Sequence, residues 1–110
     1  MTPLISRDEL VVALGSVTVV ETLGPVYYEA AHLPGAINIP HTEVDALAPS
    51  LLPDKDAAIV TYCSNPQCPN SEIAARRLVS LGYTNVRRYV DGKDDWREAG
   101  LLLEGAAVAA

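Results

Sequence analysis

Apolar residues recur along this chain with two different spacings, which predict helices and strands in alternation. Four segments carry apolar residues three to four positions apart, as in a helix with one buried face. Between them lie short apolar runs rich in valine and isoleucine, as expected of covered strands. Because parallel strands need helical crossovers, the alternation predicts a doubly wound α/β domain, with a central parallel sheet and helices on both faces. The predicted strands are residues 17–21, 36–39, 57–62 and 86–90, and the predicted helices are residues 6–14, 42–52, 71–81 and 94–99.

Short-range motifs indicate where several of these helices begin and end. Ser6 and Glu9 have the spacing of a capping box, in which each side chain bonds the other residue's main chain, so a helix is expected to begin at Ser6. Thr42 and Asp45 predict a weaker cap for the second helix. Gly82 is placed to end the third helix in the left-handed conformation.

The composition is that of one globular domain. The 110 residues are 49% hydrophobic and 20% charged, which suffices for a core held together by packing. The predicted domain spans residues 1–110, with a core from about residue 5 to residue 103 and a flexible tail over residues 104–110. Tyr27 and Tyr28 are expected in a loop, and Trp96 is expected to pack the last helix against the sheet.

Charge and cysteine content narrow the classes of partner. The net charge is −6, which disfavours nucleic acid and anionic membrane surfaces and favours a small-molecule or protein partner. No apolar run approaches the roughly 20 residues of a membrane-spanning helix, and the first residues lack the order of a signal peptide. Two cysteines are too few for a disulfide framework, so a reducing, cytoplasmic location is expected.

The segment from Cys63 to the start of the third helix is the candidate site. Cys63 directly follows the strand with the most buried pattern, and parallel sheets bind ligands at the carboxyl ends of their strands. Main-chain amides of this loop and the start of the following helix are expected to stabilise a thiolate and to lower its pKa. Pro66 and Pro69 supply no such amide. The predicted substrate-binding residues are Ser64, Asn65, Gln67, Cys68, Asn70 and Ser71.

Cys68 lies five positions after Cys63 in the same loop. If the loop curls, Cys68 is a candidate resolving thiol that forms a disulfide with an oxidised or persulfidated Cys63; the alternative is a spectator thiol. A zinc site from both cysteines with His32 and His41 is not predicted, because the spacing matches no familiar ligand pattern. No cofactor is expected.

Several segments together resemble the single-domain rhodanese family over about residues 5–103. The most specific is the run HLPGAINIP from His32 to Pro40. The position of Cys63, between the end of a predicted strand and the start of a predicted helix, adds to the resemblance. So does the Gly-x-x-x-Trp element of Gly92 and Trp96.

The resemblance implies a persulfide chemistry and also shows departures from the family pattern. Rhodaneses use a cysteine that accepts sulfane sulfur as a persulfide and passes it to a nucleophile, and Cys63 matches that cysteine by position. The family loop usually has six residues and ends in Arg, whereas residues 63–70 form a longer loop without Arg. The family's Asp-x-Arg after the first strand is replaced by Glu21, Thr22 and Leu23. The identity of the sulfur donor therefore stays open, and so does the question whether thiosulfate can serve as one.

Two functions remain as hypotheses. The first is a sulfurtransferase in which Cys63 carries sulfane sulfur from a small-molecule or protein donor to a thiol or cyanide acceptor. The second is a binding or redox-sensing module that has the same fold and uses the Cys63 and Cys68 pair. The arginines near the site are expected to lie on solvated faces without a role; they are Arg76, Arg77, Arg87 and Arg88.

Overall fold

Strands and helices alternate through the whole of the computed structural model, which describes residues 2–108. Among these residues, no helix is long and apolar enough to cross a bilayer. The helices are α1 (Arg7–Ala13), α2 (Pro25–Ala30), α3 (Val44–Leu51), α4 (Asn70–Ser80) and α5 (Gly92–Glu98), and the strands are β1 (Thr18–Glu21), β2 (Ile37–Asn38), β3 (Ile59–Tyr62) and β4 (Val86–Tyr89).

The four strands form one parallel sheet in the order β2-β1-β3-β4. The last residues of the three longer strands stand side by side, because Glu21 pairs with Tyr62 and Tyr62 pairs with Tyr89. The strand order reverses between β1 and β3, and such a reversal leaves a crevice at the carboxyl ends of the two strands. The predicted fold class is confirmed, and Cys63 follows β3 at this crevice.

Helices cover both faces of the sheet, and each face has its own core. One core joins the apolar faces of α3 and α4 to Val20, Ile59 and Val86 of the sheet. The other places Leu10 of α1 and Trp96 of α5 against the opposite face. Trp96 meets Tyr89 edge to face, with ring centroids 6.1 Å apart, as predicted for a tryptophan that packs the last helix on the sheet.

The two predicted helix caps have opposite outcomes. The capping box at Ser6 is present, since the Ser6 hydroxyl accepts from the Glu9 amide and the Glu9 carboxylate accepts from the Ser6 amide. The predicted cap from Thr42 and Asp45 is wrong, because α3 begins after Glu43 without a side-chain cap. The Asp45 carboxylate instead binds Arg77 of α4 at 2.6 Å.

The segment expected to be a loop around the two tyrosines is a helix, α2. Pro25 occupies its first position, where a fixed φ and a missing N–H favour a helix start. None of the six residues of α2 is fully buried, so no apolar periodicity revealed it. Tyr28 stacks on His32 at 3.9 Å and donates its hydroxyl to the Ala36 carbonyl, which fixes α2 to the turn before β2.

Residues 104–107 are attached to the domain through their main chain. Glu104 pairs with His32 in an antiparallel bridge, and the amides of Ala106 and Ala107 donate to carbonyls of α2 at 2.8 and 2.9 Å. This differs from the flexible tail that the sequence predicts, because main-chain pairing needs no side-chain pattern. The last two residues of that predicted tail, 109 and 110, lie outside the described residues.

Candidate active site

Cys63 begins a loop whose first two peptide groups are fixed to neighbouring segments. The amides of Lys93 and Asp94, in the first turn of α5, donate to the carbonyls of Cys63 and Ser64 at 2.8 and 2.9 Å. On the other side of the strand, the Thr22 hydroxyl and amide both donate to the Tyr62 carbonyl at 3.0 Å. The main chain that carries the Cys63 thiol is therefore held at the crevice between β1 and β3.

The Cys63 sulfur has polar neighbours although the residue is only 1% exposed. Its Sγ atom lies 3.3 Å from the Ser71 hydroxyl oxygen and 3.3 Å from the Cys68 carbonyl oxygen. Both cysteines are free thiols, and Cys68 is half-buried. A neutral Cys63 thiol thus has acceptors for its proton, and the loop covers the sulfur from solvent.

The predicted acidic Cys63 is not what this environment produces. Burial raises the pKa of the Cys63 thiol above its ordinary value, because a thiolate loses solvation there. The Ser71 hydroxyl and amide oppose this effect by favouring the thiolate, while the neighbouring Cys68 thiol adds to it. Burial is the largest of these effects, so the expectation of a lowered Cys63 pKa is wrong.

Two of the loop amides that the sequence predicts to face the sulfur donate to other groups. The Gln67 amide donates to the side-chain oxygen of Asn65 at 3.1 Å, and the Cys68 amide donates to the Asn65 carbonyl at 3.1 Å. Asn65 also donates its side-chain NH₂ to Asp94 at 3.3 Å. Asn65 therefore organises the loop by taking up its amides, which leaves the Ser71 amide as the main-chain group that favours a charged sulfur.

The other predicted loop residues take different positions. Ser71 is fully buried at the start of α4 and contacts the sulfur. Ser64 and Asn70 are half-buried, and Gln67 is exposed at the outer side of the loop. The structure thus brings Cys63, Cys68 and Ser71 together, and Gln67 and Asn65 face a neighbouring cleft.

Arg88 of β4 reaches this cluster from the sheet, a contact that the sequence pattern does not predict. Its Nε donates to the Ser71 hydroxyl at 2.7 Å, and its Nη2 donates to the Cys68 carbonyl at 3.2 Å. The prediction of a solvated arginine is wrong for Arg88. Arg88 pairs with Thr61 across β3 and β4, and Thr61 shares a strand face with Cys63, so the register of the sheet directs Arg88 toward the site.

A cleft beside the loop carries strong negative charge. It encloses about 360 Å³ and lies between the loop and α5. Asp95 is partly neutralised there, because Arg7 and the Tyr89 hydroxyl bind its two carboxylate oxygens at 3.1 and 2.6 Å. The cleft is lined by Asn65, Pro66, Gln67, Asp91, Asp94, Asp95 and Glu98.

A buried ion pair supports α5 next to the loop. Glu21 at the end of β1 is fully buried, and its Oε1 lies 2.9 Å from the Lys93 ammonium and accepts from the Tyr62 hydroxyl at 2.7 Å. Lys93 also donates to the Ala31 carbonyl at 2.6 Å. Within residues 2–108, the second oxygen of Glu21 has no hydrogen-bond partner. The sequence marked Glu21 only as a departure from a family motif.

The two histidines lie apart from the cysteines in this arrangement. His32 places Nδ1 at 2.6 Å from the Tyr28 carbonyl oxygen, and His41 lines a different cleft between α3 and α4. In the part of the chain that the structure describes, no three His, Cys, Asp or Glu side chains are grouped to hold a metal ion.

Comparison with known proteins gives similarities in sequence and in fold. The model of the rhodanese-like domain family matches residues 6–99. A HTH-type transcriptional regulator of Mycobacterium tuberculosis is 41% identical over 95 residues, which are 86% of this chain and 41% of the regulator. A thiosulfate sulfurtransferase of Escherichia coli is 36% identical over 70 residues, 64% of this chain and 65% of that enzyme. The structure of a human single-domain sulfurtransferase superposes with a TM-score of 0.78 at 25% identity, covering 89% of this chain and 97% of that one.

The similarity covers only part of the two curated relatives. The chain spans under half of the regulator and about two thirds of the bacterial sulfurtransferase. The similarity to the regulator therefore concerns one part of that protein.

Proposed function

The chain belongs to the rhodanese-like domain family, and from this premise we propose that it is a sulfurtransferase that carries sulfane sulfur as a persulfide on Cys63. The observation that carries the proposal is the placement of the Cys63 sulfur at the carboxyl end of β3, 3.3 Å from the hydroxyl of Ser71. Sulfurtransferase names among its relatives support it. The donor and the acceptor are small molecules or proteins.

The first step transfers a sulfur atom to Cys63. The Cys63 thiolate attacks the outer, sulfane sulfur of the donor, so that a new S–S bond forms and the S–S bond of the donor breaks. The electron pair of the broken bond leaves with the donor as a thiolate, or as sulfite when thiosulfate is the donor. The thiol proton goes to water before the attack, so the raised pKa makes this step faster as the pH rises.

The second step returns the enzyme to its thiol form. An acceptor thiolate or cyanide attacks the outer sulfur of the persulfide, and the Cys63 sulfur leaves with the electron pair of the broken bond. No electrons are gained or lost overall. Because the donor product departs before the acceptor reacts, the steady-state kinetics are expected to be ping-pong.

The charge beside the loop favours one class of donor. The carboxylates that line the cleft next to Asn65 and Gln67 repel a dianion such as thiosulfate. The loop itself supplies no cation, since residues 63–70 contain no Arg or Lys. We therefore expect an alkyl persulfide, free or carried by a protein, to be a better sulfur donor than thiosulfate. A reducing, cytoplasmic setting that keeps Cys63 and Cys68 as thiols completes the proposal.

A redox-sensing module is the second candidate, because Cys63 and Cys68 lie in the same loop and the Cys63 sulfur contacts the main chain of Cys68. The Cys63 sulfur lies 3.3 Å from the Cys68 carbonyl oxygen, and the Cys68 thiol adds to the raised pKa of Cys63. In this function a peroxide oxidises Cys63 to a sulfenic acid, and the Cys68 thiol then displaces water to form a disulfide. The similarity to a transcriptional regulator supports a regulatory role.

A donor panel separates the two candidates. Turnover is measured with an alkyl persulfide, thiosulfate and mercaptopyruvate in the wild type and in Cys63→Ser and Cys68→Ser. The sulfurtransferase predicts turnover that is lost in Cys63→Ser and kept in Cys68→Ser. No turnover with any donor, together with a peroxide-induced disulfide that needs both cysteines, assigns the redox-sensing module instead.

A further inference from the structure

Arg88 is the one arginine among the described residues whose guanidinium bonds both groups that touch the Cys63 sulfur. We propose that Arg88 is a positioning residue for the reaction at Cys63: it directs the Ser71 hydroxyl toward the sulfur and holds the Cys68 carbonyl, so that a charged sulfur is stabilised from the sheet side. The inference deepens the proposed function and rests on it for its role in turnover.

The bond from Arg88 to Ser71 determines where the Ser71 hydroxyl proton can point. The hydroxyl has one proton and two lone pairs, and the guanidinium Nε occupies a lone pair at 2.7 Å. The sulfur of Cys63 lies 3.3 Å from the same oxygen. Once Cys63 has lost its proton, the hydroxyl proton is free to be donated to the sulfur. A bond to a charged donor also polarises the hydroxyl and makes it a stronger donor.

The bond from Arg88 to Cys68 acts on the opposite neighbour of the sulfur. The Cys68 carbonyl oxygen accepts from the neutral thiol at 3.3 Å, and after deprotonation this oxygen faces a negative charge. The guanidinium Nη2 donates to the same oxygen at 3.2 Å and offsets part of that repulsion. Arg88 therefore favours the charged sulfur through both of its contacts.

The charged groups around Arg88 leave it available for this role. Glu72 of α4 is the carboxylate that acts on it, and Glu72 is already bound by Arg76 and by the Thr2 hydroxyl, both at 2.9 Å. On the loop side, Arg88 binds the carbonyl of Cys68, the residue that carries the second thiol of the loop. Arg87, the preceding residue of β4, points to the opposite face of the sheet, toward Glu9 of α1.

The test measures the alkylation rate of Cys63 against pH by mass spectrometry of its peptide, in Arg88→Met, Arg88→Lys and the matched control Arg87→Met. Arg88→Met should move the midpoint upward by about one pH unit, so that Cys63 reacts about tenfold more slowly at neutral pH. Arg88→Lys should recover part of the loss, because it keeps the charge but not the two-donor geometry. Arg87→Met should match the wild type.

A double-mutant cycle with Ser71→Ala separates positioning from general stability. If Arg88 acts through Ser71, Ser71→Ala slows alkylation at neutral pH, and Arg88→Met adds less to it than it does in the wild type. Equal pH profiles for Arg88→Met and Arg87→Met overturn the inference. If Arg88→Met does not fold, Arg88→Lys and Ser71→Ala still provide the comparison.

Alkylation needs no sulfur donor, so this test does not depend on sulfur transfer. A shifted alkylation profile in a protein that never forms a persulfide contradicts the proposed function and leaves the positioning by Arg88 intact. A protein that forms the persulfide with an unshifted profile in Arg88→Met contradicts the inference alone.

Discussion

Gly92 lies so close to the peptide after Cys63 that a Cβ atom on Gly92 would stand 2.6 Å from the Cys63 carbonyl oxygen. The same Cβ would stand 2.8 Å from the main-chain carbon and oxygen of Ser64. Gly92 also has a φ of +76°, a conformation that other residues adopt at a cost. The glycine at the start of α5 therefore lets α5 pack directly on the start of the cysteine loop.

Gly92→Ala is expected to destabilise the protein and to displace this loop. Left-handed strain and overpacking together cost about 2–5 kcal/mol. Gly15→Ala is the matched control, because Gly15 has a φ of +89° but no atom within 4 Å of its Cβ position, so only the strain of about 1–2 kcal/mol applies. Urea unfolding measures both values, and equal losses in the two variants would show that the close contact has no energetic effect.

Removing the positive partner of the buried ion pair should be costly. Lys93→Met leaves the Glu21 carboxylate fully buried without its ammonium partner, which costs about 3–5 kcal/mol of unfolding free energy. Adding Glu21→Gln removes the unpaired charge, so the double variant should be more stable than Lys93→Met alone. Urea denaturation measures the free energy of unfolding of the wild type and of each variant. A loss below about 1 kcal/mol for Lys93→Met would contradict the presence of a charged Glu21 paired with Lys93.

The buried thiol of Cys63 should react slowly at neutral pH. Because burial raises its pKa, the alkylation rate of Cys63 in the folded protein is expected to rise with a midpoint above the ordinary value of 9.0. The same protein unfolded in urea is the control and should react faster at neutral pH. The raised pKa also contributes stability that is full below pH 9.0 and is lost as the pH rises through the folded-state value. A folded-state midpoint below the unfolded one would contradict this.

Neutralising the cleft should improve thiosulfate as a donor. Asp91→Asn with Glu98→Gln removes two of the carboxylates beside the loop, so the kcat/KM for thiosulfate should rise several-fold at low salt and less at high salt. Asp54→Asn is the control, because it removes a negative charge from the loop before β3, at the opposite end of the strands. It should have little effect on the kcat/KM for thiosulfate. An equal gain in Asp54→Asn would mean that the overall charge and not the cleft repels the donor.

The elements with strong local signals could be predicted from the sequence. The capping box at Ser6, the β-branched run of β3 and the amphipathic pattern of α4 all act within a few residues, and each produced its element. Helix α2 could not be predicted in this way, because its stability comes from contacts such as that of Tyr28 with the turn before β2, and its sequence has no buried stripe.

The chemistry of the site was predictable only in part. The position of Cys63 follows from the strand and helix order, but its pKa depends on how the loop closes over it, which the sequence pattern does not show. The capture of two loop amides by Asn65 and the reach of Arg88 to Ser71 are tertiary contacts. A polar residue on a short strand, such as Arg88, has the same pattern whether it meets solvent or a loop.

Persulfide formation on Cys63 is the most direct test of the account. The protein is incubated with an alkyl persulfide and then separated from the remaining donor. Its thiols and persulfides are blocked with an alkylating agent, the protein is digested, and the mass of the peptide that contains Cys63 is measured by mass spectrometry. The account predicts one added sulfur atom on Cys63, its loss after addition of an acceptor thiol, and no such species in Cys63→Ser. An unmodified Cys63 after exposure to every donor of the panel, or sulfur found on Cys68 alone, would contradict it.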